Sequence, residues 1–222
     1  MRQQGAPVKI LVTGFGRFPG APYNPTEALM QRLAVYRPRL RRLGIHLDYA
    51  VLPVVYAELA ERLARLLQDH EPDGALHFGL SSRRFHFSIE TRALNRCSPL
   101  RPDAAGKKPW NSECPRSHFL QAGGPMMMAS RFPARMIVAA LDRRGIPTRL
   151  SQDAGDYLCN MALYQSCRSG IAATGFIHVP LRIHMPQGIG TRRVTASMLD
   201  QAALMAIELT AHHLRSTRQY KV

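Results

Sequence analysis

The chain has 222 residues, 45% of them hydrophobic and 20% charged, which suits a single folded domain over residues 1–222 with a full-sized core and excludes a disordered or fibrous chain. Its formal charge is +15, and arginine supplies 26 of the 30 basic residues, lysine only Lys9, Lys107, Lys108 and Lys221. The arginines are spread along the sequence, and the densest run, residues 37–42 (RPRLRR), has no interleaved aromatics on which bases would stack, so nucleic acid is not the expected partner.

Residues 8–14 (VKILVTG) are a continuous apolar run closing on glycine, the pattern of a buried strand that opens on a functional loop. The loop over residues 15–25 holds Gly16, Pro19, Gly20, Pro22 and Pro25 with two exposed-looking aromatics, Phe15 and Phe18. Aromatics on such a loop at a strand's carboxyl end line a ligand crevice or else plug the core edge. The run GFGRFPG has neither the spacing of a dinucleotide fingerprint nor the ending of a phosphate loop. A helix is expected from Pro25 to about Tyr36, then a strand over residues 45–54. The next helix spans residues 56–69, with Leu59, Leu63, Leu66 and Leu67 as its core face, and a third strand covers residues 74–78. Residues 85–90 (FHFSIE) alternate and predict a fourth strand, with Phe85, Phe87 and Ile89 on one face and His86, Ser88 and Glu90 on the other. Glu90 then stands on a polar face near a strand's end.

Residues 97–124 are irregular, rich in proline and glycine, and contain the single tryptophan, Trp110, so they predict a lid or an interface arm. The spacing of Cys97, Cys114 and His118 matches no common zinc site, and the four cysteines contain no CxxC pair, so neither a metal nor a disulfide framework is expected. Met126, Met127 and Met128 suit core or interface filling better than a cofactor box. A helix follows over residues 133–144, then a turn at Gly145-Ile146-Pro147 and a strand over residues 148–151. After a small turn with Ala154 and Gly155, a helical pattern begins near Asp156 and places Cys159 in its first turn. Backbone N–H groups are unpaired there and the helix dipole is positive, which favours a thiolate and so a nucleophile. An apolar strand over residues 175–179 carries His178 near its end, 19 residues after Cys159. The last helix covers residues 196–215, with a frayed tail over residues 216–222. Strands alternating with helices predict a three-layer α/β/α domain around a mostly parallel, mixed twisted sheet, with Phe15, Glu90, Cys159 and His178 all at strand ends or just beyond them.

Several of these segments resemble one family. SQDAGDYLCN at residues 151–160, followed by GFIHVP at residues 175–180, is similar to the nucleophile and histidine segments of pyroglutamyl peptidase I, the pyrrolidone-carboxylate peptidases. LVTGFGRFPGAPYNPTE resembles that family's first strand and substrate loop, and HFGLSSRRFHFSIETRALN the segment carrying its catalytic glutamate. GKKP and AGGPMMMASRFPARMIVAALDRRGIPTRL are similar to its central region, so the matches run in order from about Lys9 to Pro180. The resemblance implies a cysteine omega-peptidase that removes N-terminal pyroglutamate from peptides through a thioester, with no metal or organic cofactor. Cys159 would be the nucleophile, His178 its base, and Glu90 the group that orients the imidazole.

Phe15 and Phe18 would wall the substrate slot with Tyr157 and Leu158, and Asn24 would order the loop or contact the ring. Four departures stand out. Arg17 replaces the usual Pro, and Leu80 stands where many members have Gln. Asp153 and Asp156 add carboxylates that would raise the thiol pKa if unpaired. Residues 1–10 lack the apolar run of a signal peptide and no stretch approaches a membrane span, so a cytoplasmic peptide-processing role without membrane contact is expected. Oligomeric state stays open, a dimer or tetramer being among the alternatives. So do an altered acyl substrate, a non-catalytic binding role on the same fold, and a basic nucleic-acid-binding protein.

Overall fold

The computed structural model describes residues 6–18, 20–98, 100–109, 119–184 and 190–219; Trp110, Cys114 and His118 lie outside them. In chain order the elements are β1 (Val8–Phe15), α1 (Pro25–Arg42), β2 (Ile45–Leu52), α2 (Tyr56–His70), β3 (Gly74–Leu80), β4 (Phe87–Glu90), β5 (Arg92–Leu94) and β6 (Met127–Ala129). They continue with α3 (Ala134–Asp142), β7 (Thr148–Ser151), α4 (Leu158–Arg168), β8 (Ala173–Val179), β9 (Arg182–His184), β10 (Thr191–Arg193) and α5 (Ala196–Gln219).

Six strands form one sheet in the order β2-β1-β3-β8-β4-β7. The first four run parallel; β4 is antiparallel to β8 and parallel to β7. Alternation along the strands splits the core in two. Val8, Ile10 and Val12 of β1, Leu76 and Phe78 of β3, and Ile177 and Val179 of β8 pack under α1, α3 and α5. Leu11 and Phe15 of β1 and Phe176 of β8 pack under α2 and α4 on the opposite face. The result is an α/β/α sandwich, as the sequence pattern requires.

The reversed pair β4 and β7 corrects one expectation. Glu90 closes β4 and Cys159 follows β7, yet these strands point against β1, β3 and β8. The site residues therefore approach from opposite strand directions and do not share one carboxyl edge.

Other boundaries shift for identifiable reasons. Helix α1 runs through Pro38 to Arg42, past the expected end at Tyr36. Pro38 removes one helical hydrogen bond, but tertiary packing compensates. Leu40 is wholly buried, Arg37 lies 4.7 Å over the Tyr49 ring, and Arg39 pairs with Glu208 of α5 at 2.6 Å. Phe85 lies outside β4 and is exposed, so the strand begins at Phe87, two residues later than the alternation predicts. Met126 and Met127 are exposed, and only Met128 leans on the core. Residues 216–219, expected to fray, stay helical. Arg215 donates to the Leu43 and Gly44 carbonyls at 2.7 and 2.8 Å, and Arg218 pairs with Asp73.

Candidate active site

Strand register decides which side chains meet. His178 on β8 stands opposite Gly79 on β3 and opposite Ser88 on β4. Residues two apart on a strand share a face, so Glu90, two beyond Ser88, is the diagonal neighbour of His178 on the face covered by α4. There the wholly buried Glu90 carboxylate takes His178: Oε1 accepts from Nδ1 at 2.7 Å. A carboxylate only accepts, so Nδ1 carries the proton in this bond.

Cys159 comes from the covering layer. Tyr157 caps α4 in an extended conformation (φ −109°, ψ −165°), so Leu158 and Cys159 are the first two helical residues, two later than the pattern predicts. The delay has a cause: the Asp156 carbonyl accepts from the Ser98 N–H at 2.6 Å, holding the chain extended. Asn160 then fastens the helix start. It is wholly buried, accepts from the Leu94 N–H at 2.9 Å, and donates to the Leu94 and Arg96 carbonyls at 2.7 and 3.0 Å. Under the sulfur lies Gly79. A Cβ there would come 2.9 Å from Cys159 Sγ and 2.6 Å from the Phe176 ring. Since Gly79 and His178 are ladder partners, one strand spacing of about 4.8 Å separates the backbone under the sulfur from that of the imidazole. His178 has Glu90 on one side and Cys159 on the other.

The electrostatics differ from the expectation of a ready-made thiolate. Cys159 keeps some exposure, but burial of its sulfur and then the charge of Glu90 push the thiol up to about 12, while Arg84 works in the opposite sense. The net direction is upward, so burial disfavours the thiolate here. Asp153 and Asp156 are not the cause. Asp153 is engaged with Arg96 at 2.8 Å and with the Gly155 N–H at 3.0 Å. For Glu90, burial alone would raise the pKa; the hydrogen bond and charge of His178, with Ser151 and Arg84, outweigh it and hold the carboxyl below its ordinary value.

Arg84 is the member of the site that the sequence does not single out. Nη1 donates to Glu90 Oε1 at 2.6 Å, and Nη2 donates to the Asp153 carbonyl at 2.7 Å. It ties the Glu90 carboxylate to the loop that leads into Cys159. Nothing in the run SSRR marks one arginine above its neighbour.

The expected slot residues fall into two groups. Phe18 packs on Tyr157 (ring centroids 6.5 Å apart), and Tyr157 meets Tyr56 edge-on at 5.6 Å, so these rings form one wall at the start of α4. Phe15, expected to be exposed, is buried 6.3 Å from Phe176, and the Phe176 ring in turn lies 4.7 Å from His178. Leu158 is sunk in the core beneath α4, and Leu80 is half-buried at the end of β3. Asn24 orders the loop: it donates to the Gly16 carbonyl at 3.0 Å and caps α1 through the Thr26 N–H at 3.1 Å. Arg17 turns outward to Glu27 at 3.3 Å. From the irregular segment, Asp103 caps α2 by accepting from the Tyr56 N–H at 3.1 Å, and the Tyr157 hydroxyl donates to the Pro102 carbonyl at 3.0 Å. Its described part is thus docked against this aromatic wall.

Known proteins share this chain's sequence and fold. The family model described as pyroglutamyl peptidase matches residues 8–215. The pyrrolidone-carboxylate peptidase of Pyrococcus furiosus is 34% identical over 216 residues, covering 91% of this chain and 95% of that protein. That of Gloeobacter violaceus is 32% identical, covering 94% and 98%. Among solved structures, a mutant pyrrolidone carboxyl peptidase from Pyrococcus furiosus superposes with a TM-score of 0.79 at 31% identity, covering 93% of this chain and all of that one. The Thermococcus litoralis pyrrolidone carboxyl peptidase gives 0.80 at 25% identity, covering 95% and 96%. Match length and shared fold agree along nearly the whole chain. The chain belongs to the pyroglutamyl peptidase family.

Proposed function

We propose that the protein removes N-terminal pyroglutamate from peptides by acyl transfer to Cys159. The observation that carries this reading is the placement of His178 between a buried carboxylate and a cysteine at a helix start, in a chain of this family. Because the resting thiol is neutral, His178 Nε2 removes its proton as the sulfur attacks the pyroglutamyl carbonyl. The C–N bond to the next residue then breaks, and the imidazolium gives its proton to the leaving amine. Water, deprotonated by the same imidazole, hydrolyses the thioester and restores the thiol. Glu90 fixes the tautomer and offsets the imidazolium charge, and Arg84 holds Glu90 in place. The unpaired N–H groups at the start of α4 supply the oxyanion donors.

Phe18 and Tyr157 favour a flat, uncharged ring, since a free ammonium there would lose its hydration without a partner. No described helix is long and apolar enough to cross a membrane. The test is fluorophore release from a pyroglutamyl amide with the free-amine prolyl amide as control. Release from the first and not the second is expected. Equal release, or none from either, would overturn the reading.

A further inference from the structure

On the α1 and α5 side of the sheet, next to the strand ends that carry Gly79 and His178, lies a groove of about 660 Å³ that includes an unexplained pair of charges. Its lining includes Leu80 and Pro180, which immediately follow Gly79 and β8, together with Tyr23, Leu181, Arg182 and Arg193. These two arginines are direct cross-strand partners in the β9–β10 ribbon. Like charges opposite one another destabilise a ribbon, so an acidic neighbour is expected. Among the described residues no carboxylate forms an ion pair with either. Among the described residues Arg182 donates to the Thr191 hydroxyl and carbonyl alone, at 2.8 and 3.0 Å. By contrast Arg32, on the same groove, is already neutralised by Asp200 at 2.7 Å.

We propose that this groove receives the leaving-peptide side of the substrate, and that Arg182 and Arg193 together hold a carboxylate of it. The proposal rests on the peptidase reading. That reaction always presents a chain extending away from the scissile bond, and unless amidated the chain ends in a carboxylate. Two arginines lining one groove suit that group, which accepts several charge-assisted hydrogen bonds. The carboxylate comes either from the peptide's C-terminus or from an acidic side chain just after pyroglutamate.

The test compares kcat/KM for pyroglutamyl-Ala-Ala with that for its C-terminal amide, and for the amide of pyroglutamyl-Glu-Ala. Each ratio is taken within one enzyme preparation, so a loss of folded protein cancels. Wild type should favour the free acid over the Ala-Ala amide by about two- to fivefold, chiefly through KM. Arg193→Gln and Arg182→Gln should each bring the ratio close to one. Arg192→Gln removes the same charge from the residue between the groove arginine and Thr191, which alternation places on the other side of the ribbon, and should leave the ratio standing. Recovery of the preference with the Glu-containing amide assigns the carboxylate to a side chain; no recovery assigns it to the C-terminus, and both support the subsite. Equal rates for all three peptides in wild type would overturn it, as would a preference that survives in Arg193→Gln and Arg182→Gln. Equal loss in Arg192→Gln would also overturn it, by showing a general field. If wild type fails on the neutral fluorogenic amide too, the peptidase reading itself falls, and this proposal with it.

Discussion

Two histidines point to the same face of the sheet, and their surroundings give them different work. His77 is wholly buried, with Nδ1 2.7 Å from the Thr13 hydroxyl and Nε2 2.8 Å from the Ser166 hydroxyl, and burial pushes its pKa down to about 4. Both nitrogens are occupied, so His77 is a satisfied core residue. His178 has one nitrogen committed to Glu90, and its ladder partner Gly79 lies under the sulfur of Cys159. His178→Ala should therefore lower turnover by at least ~10²-fold, while Glu90→Gln should cost less than Glu90→Ala, as steady-state rates will show. The thiol supplies a pH test. Burial and the Glu90 charge raise its pKa, so Glu90→Gln removes one raising contribution and should move the pH profile of Cys159 alkylation to lower pH. An unmoved or upward profile would contradict this electrostatic account. In the sequence a helix start marks Cys159, a strand end His178 and an alternating strand Glu90, while the roles proposed for them come from the family resemblance. Arg84 and Asn160 carry no such mark. Asn160 bonds backbone groups more than 60 positions away, and Arg84 joins Glu90 to a carbonyl 69 positions away, contacts that leave no local pattern.

At the scale of elements, the site depends on how closely α4 rests on the sheet. Gly79 allows that approach, because any Cβ there would enter the space of Cys159 Sγ and the Phe176 ring. Gly79→Ala should thus cost about 1–3 kcal/mol of stability by overpacking and lower turnover further by displacing the sulfur from His178. Denaturant unfolding and turnover on the same preparation check both parts; a fully active, fully stable variant would show that α4 does not sit where described. The long helices and strands were legible from periodicity, with ends wrong where tertiary contacts overrode local signals, as at Pro38 and at residues 216–219. The three-residue strands β5, β6, β9 and β10 were not. Their pairing comes from distant register, and three residues are too few to display a period. The reversal of β4 and β7 was likewise invisible, since alternation fixes faces and not direction.

For the molecule as a whole, the +15 charge is dispersed. Arginines pair with carboxylates on α1, α2, α5 and around the site, as in Arg37–Asp48, Arg65–Glu61, Arg39–Glu208 and Arg96–Asp153. Activity on a neutral pyroglutamyl amide should then change little between 0.1 and 1 M salt, although the screening length falls from ~10 Å to ~3 Å. Tight nucleic-acid binding at physiological salt without peptidase activity would reverse this view of the charge. The central claim is that the sheet presents His178 and Glu90 to a cysteine carried by the covering helix, for acyl transfer. Trapping the acyl group tests it most directly. The enzyme is mixed with a pyroglutamyl amide, quenched in acid within the first turnover, digested and analysed by mass spectrometry. The account predicts one pyroglutamyl mass on the peptide containing Cys159, released by hydroxylamine and absent from Cys159→Ser. Label on Cys97 or Cys167 instead, or product formation that persists in Cys159→Ser, would contradict it.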